Sequence, residues 1–163
     1  MFGTIRQGPM RSGLKPVDGV DLSKAELVAY LALPRRTNPW AQAHGAALAE
    51  NHQAADARIQ AVLAWYFDDF TYTLNSGASE GDSIDHFLFE TRRGFCEHFA
   101  ASFTWIMRAA GIPARVVLGY QGGAYNPSGN YIEVRQFDAH AWSEVWVQGE
   151  GWRRVDPTAF VAP

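Results

Sequence analysis

The chain has 163 residues, of which 47% are apolar and 19% charged, and its formal net charge is −3. That length supports one domain with a real core. The mild negative charge leaves no basic footprint for nucleic acid, and no run of about 18 apolar residues is present to span a membrane. Cys96 is the single cysteine, which excludes an internal disulfide framework and a cysteine-based zinc site. Six Trp, six Tyr and ten Phe point to aromatic-rich packing, a groove, or both.

Residues 1–22, broken by Gly3, Gly8, Pro9 and Gly13, are expected to form an irregular leader, with one domain over 23–163. Ser23 with Glu26 three residues on is a capping box, and the helix it opens is stopped by Pro34. A loop covers 35–40, a second helix about 41–49, and a third about 55–67 with Ile59, Val62, Leu63 and Tyr66 at spacings of three and four. His44 and His52 are expected on solvated faces. Residues 70–74 alternate like a short strand, 75–82 read as a polar loop, and 83–90 as a short helix turning Ile84, Phe87 and Leu88 inward.

From Cys96 to Ala110 a helix is strongly patterned, with Phe99, Phe103, Ile106 and Ala110 in one stripe, ended by Gly111 and Pro113. The period then falls to two. Strands are expected at 115–120, 131–135, 139–148 and 152–155, with a loop at 122–129 and a tight turn at Gly149-Glu150-Gly151. Helices first and an antiparallel meander after make an α+β fold.

Cys96 sits where a glycine-broken segment becomes a helix. A thiol there meets the positive end of the helix dipole and free backbone N–H groups, both of which favour thiolate. Taken alone, a lone cysteine reads as a small packed apolar residue. His140 opens a strand whose alternation puts it on one face with Trp142, Glu144 and Trp146. Asp156 ends the next strand. A turn centred on Glu150 brings the two strand ends together, with Asp156 four residues short of the position opposite His140. Nucleophile, base and orienter are then present as Cys96, His140 and Asp156, and the Cys96 N–H is a first oxyanion donor.

Arg93 to Ala100 (RGFCEHFA), Ala110 to Val117 (AGIPARVV), His140 to Val145 (HAWSEV) and Val155 to Thr158 (VDPT) together resemble the transglutaminase-like superfamily, in its bacterial membrane-anchored branch. The likeness runs from about Leu31 to Thr158. It implies a papain-like core with helices packed on an antiparallel sheet, a Cys96–His140–Asp156 triad, and acyl transfer through a thioester resolved by an amine or by water. It further implies a peptide or protein acyl donor, a cell-envelope peptide being one choice. An extracytoplasmic (periplasmic) placement, with membrane attachment through regions outside this chain, is implied as well. No cofactor or metal is called for: the calcium sites of animal members have no visible counterpart in Asp68-Asp69 or Glu80-Asp82. Animal members also use an upstream tryptophan to stabilise the oxyanion; Trp65 and Tyr72 lie upstream here and neither sits in a motif that assigns it. The alternative is a non-catalytic module that uses the same groove to hold a peptide.

Overall fold

The computed structural model describes residues 21–76 and 83–161. Most of the expected leader, 1–20, and much of the polar loop, 77–82, lie outside them. Helix α1 (Lys24–Leu31) begins with the capping box as read from the sequence: Glu26 N–H donates to Ser23 Oγ at 3.3 Å, and Ser23 N–H donates to Glu26 Oε2 at 2.9 Å. Helix α2 (Pro39–Asn51) starts two residues earlier than its apolar pattern suggests, because Pro39 fits the first helical position, where no N–H is needed. Helix α3 (Ala55–Asp69) buries Ile59, Val62, Leu63 and Tyr66, the stripe expected of it.

The N-terminus of α2 is capped from a distance. Trp40 and Ala41 N–H donate to the two carboxylate oxygens of Asp85 at 2.9 and 2.7 Å. In return Ile84 and Asp85 N–H each donate to Asn38 Oδ1 at 3.0 Å. Asp85 and Asn38 are both buried, so a lost partner would leave a dry donor. Replacing Asp85 with alanine is expected to cost about 2–3 kcal/mol in urea unfolding.

Asp85 closes a single turn, α4 (Ser83–Asp85), which passes into a π-helical turn over His86–Thr91. The expected short helix is therefore wound more widely in its second half, and Phe87 and Leu88 reach the core. The strand expected at 70–74 is only β1 (Thr71–Tyr72), paired in parallel with β2 (Arg93–Gly94). Its partner is confined between Arg92, in the left-handed conformation, and the helix that starts at Cys96, which leaves the ladder little room to grow.

That next helix, α5 (Cys96–Ala109), is the centre of the molecule. Phe99, Phe103, Ile106 and Met107 are wholly buried, each contributing about 1.5–3 kcal/mol of burial relative to exposure. Gly111, at φ +79°, ends it in the left-handed conformation that glycine adopts freely. Against one side of α5 lies α2, drawn close at Gly45. Against the other lies an antiparallel sheet in the order β3 (Ala114–Tyr120), β6 (Ala139–Val147), β7 (Gly151–Val155). Ser143 Oγ donates to Ala100 O at 3.0 Å and lies 3.0 Å from Thr104 Oγ1, pinning β6 to the helix.

Two expectations about the sheet are corrected. The segment at 131–135 is not a member of it; β5 (Tyr131–Glu133) instead folds back on β4 (Ala124–Asn126), inside the stretch expected to be a loop. Asn126 Oδ1 accepts from Ser128 and Gly129 N–H at 3.0 and 3.1 Å, which closes the hairpin locally. Tyr131 to Glu133 is exposed throughout, so this hairpin has no face to bury, whereas Ala141, Ser143 and Val145 of β6 are buried against α5. Further, His44 is half-buried, its ring 4.7 Å from that of Trp65, and burial lowers its pKa.

Candidate functional site

Cys96 is the first residue of α5, as the sequence pattern requires. Its thiol is free and buried, packed with Ala100 one turn on and with Ala141 of β6. Ala141 follows His140, so the helix start and the imidazole strand meet at this point. Among the described residues the structure records no hydrogen bond between the thiol and His140.

His140 and Asp156 are brought together. His140 Nε2 lies 2.7 Å from Asp156 Oδ2, and each side chain is only 13% exposed. The β6–β7 register explains how. Val147 faces Gly151 across the turn, so the hairpin is centred on Gly149 rather than on Glu150. Gly149 and Gly151 both take positive φ, +80° and +92°, to make it. Carried one residue past Ser143–Val155, this register sets Asp156 opposite Trp142, the next residue on His140's face. Histidine and aspartate are thus diagonal neighbours on one face, a separation their side chains bridge.

Asp156 is itself fixed. Thr158 N–H and Oγ1 donate to its Oδ1 at 3.2 and 2.7 Å, and Arg154 Nη2 stands 3.6 Å from its Oδ2. Burial pushes this carboxyl up, but His140, Thr158 and Arg154 outweigh it and hold the pKa below the usual value. Trp142 stacks beside His140 with ring centroids 6.3 Å apart at 24°, and Arg154 lies over the other ring of that stack, 4.2 Å from the Trp142 centroid. Gly119 makes room for it: a Cβ there would come within 2.7 Å of the indole. Glu144, further along the same face, pairs with Arg115 at 2.6 Å.

Of the two upstream aromatics, Trp65 is engaged elsewhere. Its Nε1 donates to Asp69 at 3.0 Å, among the rings of His44, Phe70 and Phe89. Tyr72 is at the site. The parallel ladder sets it opposite Gly94, two residues before Cys96, and its ring lies parallel to Phe99 at 6.4 Å. Burial first, then electrostatic repulsion from the nearby Cys96 side chain, raise its pKa, while a hydrogen bond from the Cys96 N–H pulls the other way and Asp156 adds to the rise. The phenol therefore sits within electrostatic reach of the thiol, the first helical N–H and the carboxylate. Nothing in the local sequence around Tyr72 marks it, since its neighbour is 22 positions away.

His98 does not join these groups. Phe95 N–H makes a long contact of 3.4 Å to His98 Nδ1, its ring packs against Phe95 and Phe87, and burial lowers its pKa.

A family model described as the transglutaminase-like superfamily matches residues 42–157, the span that runs from α2 through Cys96 and His140 to the residue after Asp156. The chain belongs to the transglutaminase-like superfamily. It is 51% identical over 134 residues to a protein-glutamine gamma-glutamyltransferase of Pseudomonas aeruginosa, covering 82% of this chain and 20% of that protein. The crystal structure of the periplasmic domain of TgpA from Pseudomonas aeruginosa bound to ethylmercury superposes with a TM-score of 0.83 at 48% identity, covering 87% of this chain and 51% of that one. A structure from Cytophaga hutchinsonii, 24% identical with a TM-score of 0.62 over 86% of this chain and 44% of its own, shares the fold. The chain thus spans about a fifth of the curated transferase and half of the solved periplasmic domain. The α+β, papain-like architecture and the membership in the transglutaminase-like superfamily stand as read from the sequence motifs. The likeness to a periplasmic domain accords with the extracytoplasmic placement the motifs imply. No helix among the described residues is long and apolar enough to cross a membrane.

Proposed function

We propose that this transglutaminase-like domain transfers acyl groups from glutamine or peptide amides through a thioester on Cys96. The 2.7 Å contact between His140 Nε2 and Asp156 carries the reading. With Nε2 donating to the carboxylate, Nδ1 is the nitrogen left to take the Cys96 proton. Thiolate sulfur attacks the amide carbon and the C–N bond breaks. His140 returns the proton to the leaving nitrogen, which departs as ammonia or an amine. An incoming amine or water, deprotonated by the same imidazole, then opens the thioester and restores the thiol. The name of the Pseudomonas transferase favours a glutamine side chain as donor and an amine as acceptor. The donor is a peptide or protein, and one drawn from the cell envelope suits an extracytoplasmic domain.

Two donors can hold the tetrahedral oxyanion: the Cys96 N–H, which as the first helical amide has no intrahelical partner, and the Tyr72 hydroxyl beside it. Removing one such donor costs on the order of 10²–10³ in kcat. Tyr72→Phe is expected to lower kcat by that factor with little change in KM; an unchanged kcat would remove Tyr72 from the oxyanion site.

The activity itself is tested by mass spectrometry of a glutamine peptide incubated with the protein, with and without a primary amine. A gain equal to the amine less ammonia marks transfer, a gain of about one mass unit marks deamidation, and backbone fragments mark proteolysis. Absence of all three, together with slow alkylation of Cys96 by iodoacetamide, would favour the non-catalytic peptide-binding alternative.

A further inference from the structure

Strand β3 is an edge of the sheet, bonded to β6 alone among the described residues. Its register gives it an unusual position. Leu118 lies opposite Ala141, Val116 opposite Ser143 and Tyr120 opposite Ala139. Directly opposed residues share a face, so Val116, Leu118 and Tyr120 point to the side of the sheet on which α5 packs. The helix covers Ala141 and Ser143, which are 1% and 0% exposed, but not their neighbours on β3: Val116 is 42%, Leu118 73% and Tyr120 59% exposed. The result is an apolar ledge one strand spacing, about 4.8 Å, from the alanine against which Cys96 packs.

The ledge carries no charge. From Val116 to Ile132 the sequence holds no Asp, Glu, Lys or Arg. Sheet edges are commonly guarded by such residues against strand addition; here the single charged residue of β3, Arg115, is paired with Glu144 on the other face, and the edge from Val116 onward is unguarded. An extended peptide repeats its side chains every second residue, about 6.6 Å apart, which is also the repeat of Val116, Leu118 and Tyr120. A segment lying along β3 would pass Cys96 side-on. A second copy of the chain docked here would instead close that approach.

We infer that β3 is the donor-binding edge: an extended, uncharged segment, with apolar residues two positions either side of the acyl-donating one, lies along Val116, Leu118 and Tyr120. This rests on the proposed acyl-transfer reading and adds the class of donor to it. Strand addition at an exposed edge supplies main-chain hydrogen bonds for affinity and side-chain contacts for selection.

The test uses two fluorescent glutamine peptides that differ only at those flanking positions, leucine in one and serine in the other. Binding is read by anisotropy on the Cys96→Ala protein, so that it needs no turnover. The leucine peptide is expected to bind about tenfold more tightly, the worth of one or two partly buried apolar side chains. Leu118→Asp should abolish that preference and Leu118→Met should keep it, both with an unchanged melting temperature because the side chain is exposed. Equal binding of the two peptides, a preference that survives Leu118→Asp, or a dimer in sedimentation that Leu118→Asp dissociates would each overturn the inference. The two readings fail separately. Leu118-dependent binding without turnover by the Cys96 protein sinks acyl transfer and keeps the edge. Turnover without Leu118 dependence does the reverse.

Discussion

Replacing His140 with alanine is expected to lower the proposed acyl transfer by a factor of about 10³–10⁴, the worth of a positioned base that takes and returns the proton. The loss falls on kcat, since no apolar surface for the donor is removed. Alkylation of Cys96 by iodoacetamide at neutral pH should slow in parallel, because the base proposed to take the thiol proton is gone. An alkylation rate equal to that of the unaltered protein would show that His140 does not activate this cysteine. Asp156→Asn tests the second contact. Asparagine can offer its N–H to Nε2, which forces the other tautomer and leaves Nδ1 protonated, so a loss of similar order is expected from an almost unchanged geometry. The same variant has a signature in stability. The Asp156 pKa is lower in the fold than in the unfolded chain. Such a group adds stability above its unfolded pKa, about 4, and loses it as pH falls through the lower folded value. The melting temperatures of the two proteins should therefore differ above about pH 4 and converge in stronger acid; a gap that persists unchanged in acid would mean that the carboxylate charge is not what stabilises the pair.

Substituting Gly45 with valine is expected to destabilise the protein by about 3 kcal/mol or more, near the upper end of what overpacked cores show. Glycine inside a helix normally costs about 1 kcal/mol relative to alanine, so at an open position a larger residue would stabilise α2. At Gly45 the balance reverses. A Cβ would stand 2.4 Å from Ala109 Cβ and 2.8 Å from Ile106 O, the latter an α5 backbone atom that cannot move without disturbing the helix that carries Cys96. Urea unfolding measures the loss. Ala109→Gly in the same chain should recover part of it, because it removes the shorter of the two contacts. A neutral or stabilising Gly45→Val would mean that α2 and α5 are free to separate.

Both expectations depend on α5, and α5 is the element that the amino-acid pattern defines most sharply. Phe99, Phe103 and Ile106 recur with the helical period, Gly111 and Pro113 stop the run, and Cys96 heads it. The His140–Val147 alternation is equally direct, and the Gly149–Gly151 turn confines its partner to the next few residues. Local signals of this kind survive folding because they are set by backbone sterics and by which face is apolar. Of the two failures, one is local in origin and the other is not. The loop expected at 122–129 contains a strand because Asn126 folds the chain back on itself, a preference that composition alone reads as irregular. The segment 70–74 alternates well, yet only two residues pair, since strand length is set by the partner as much as by the strand.

The sequence by itself determined the order of the principal helices and of the strands that carry His140 and its partner, the cysteine at a helix start, the histidine on one strand and the aspartate just past the next, and the family they belong to. Each of these depends on residues close in the chain or on motif blocks in a fixed order. Only the tertiary structure decided the centring of the hairpin that lets His140 meet Asp156, the choice of Tyr72 over Trp65 beside Cys96, the exchange of caps between Asn38 and Asp85, and the exposed ledge of β3. All four join residues brought together by packing rather than by sequence, and the spacing of residues along a chain does not encode which buried surfaces will meet.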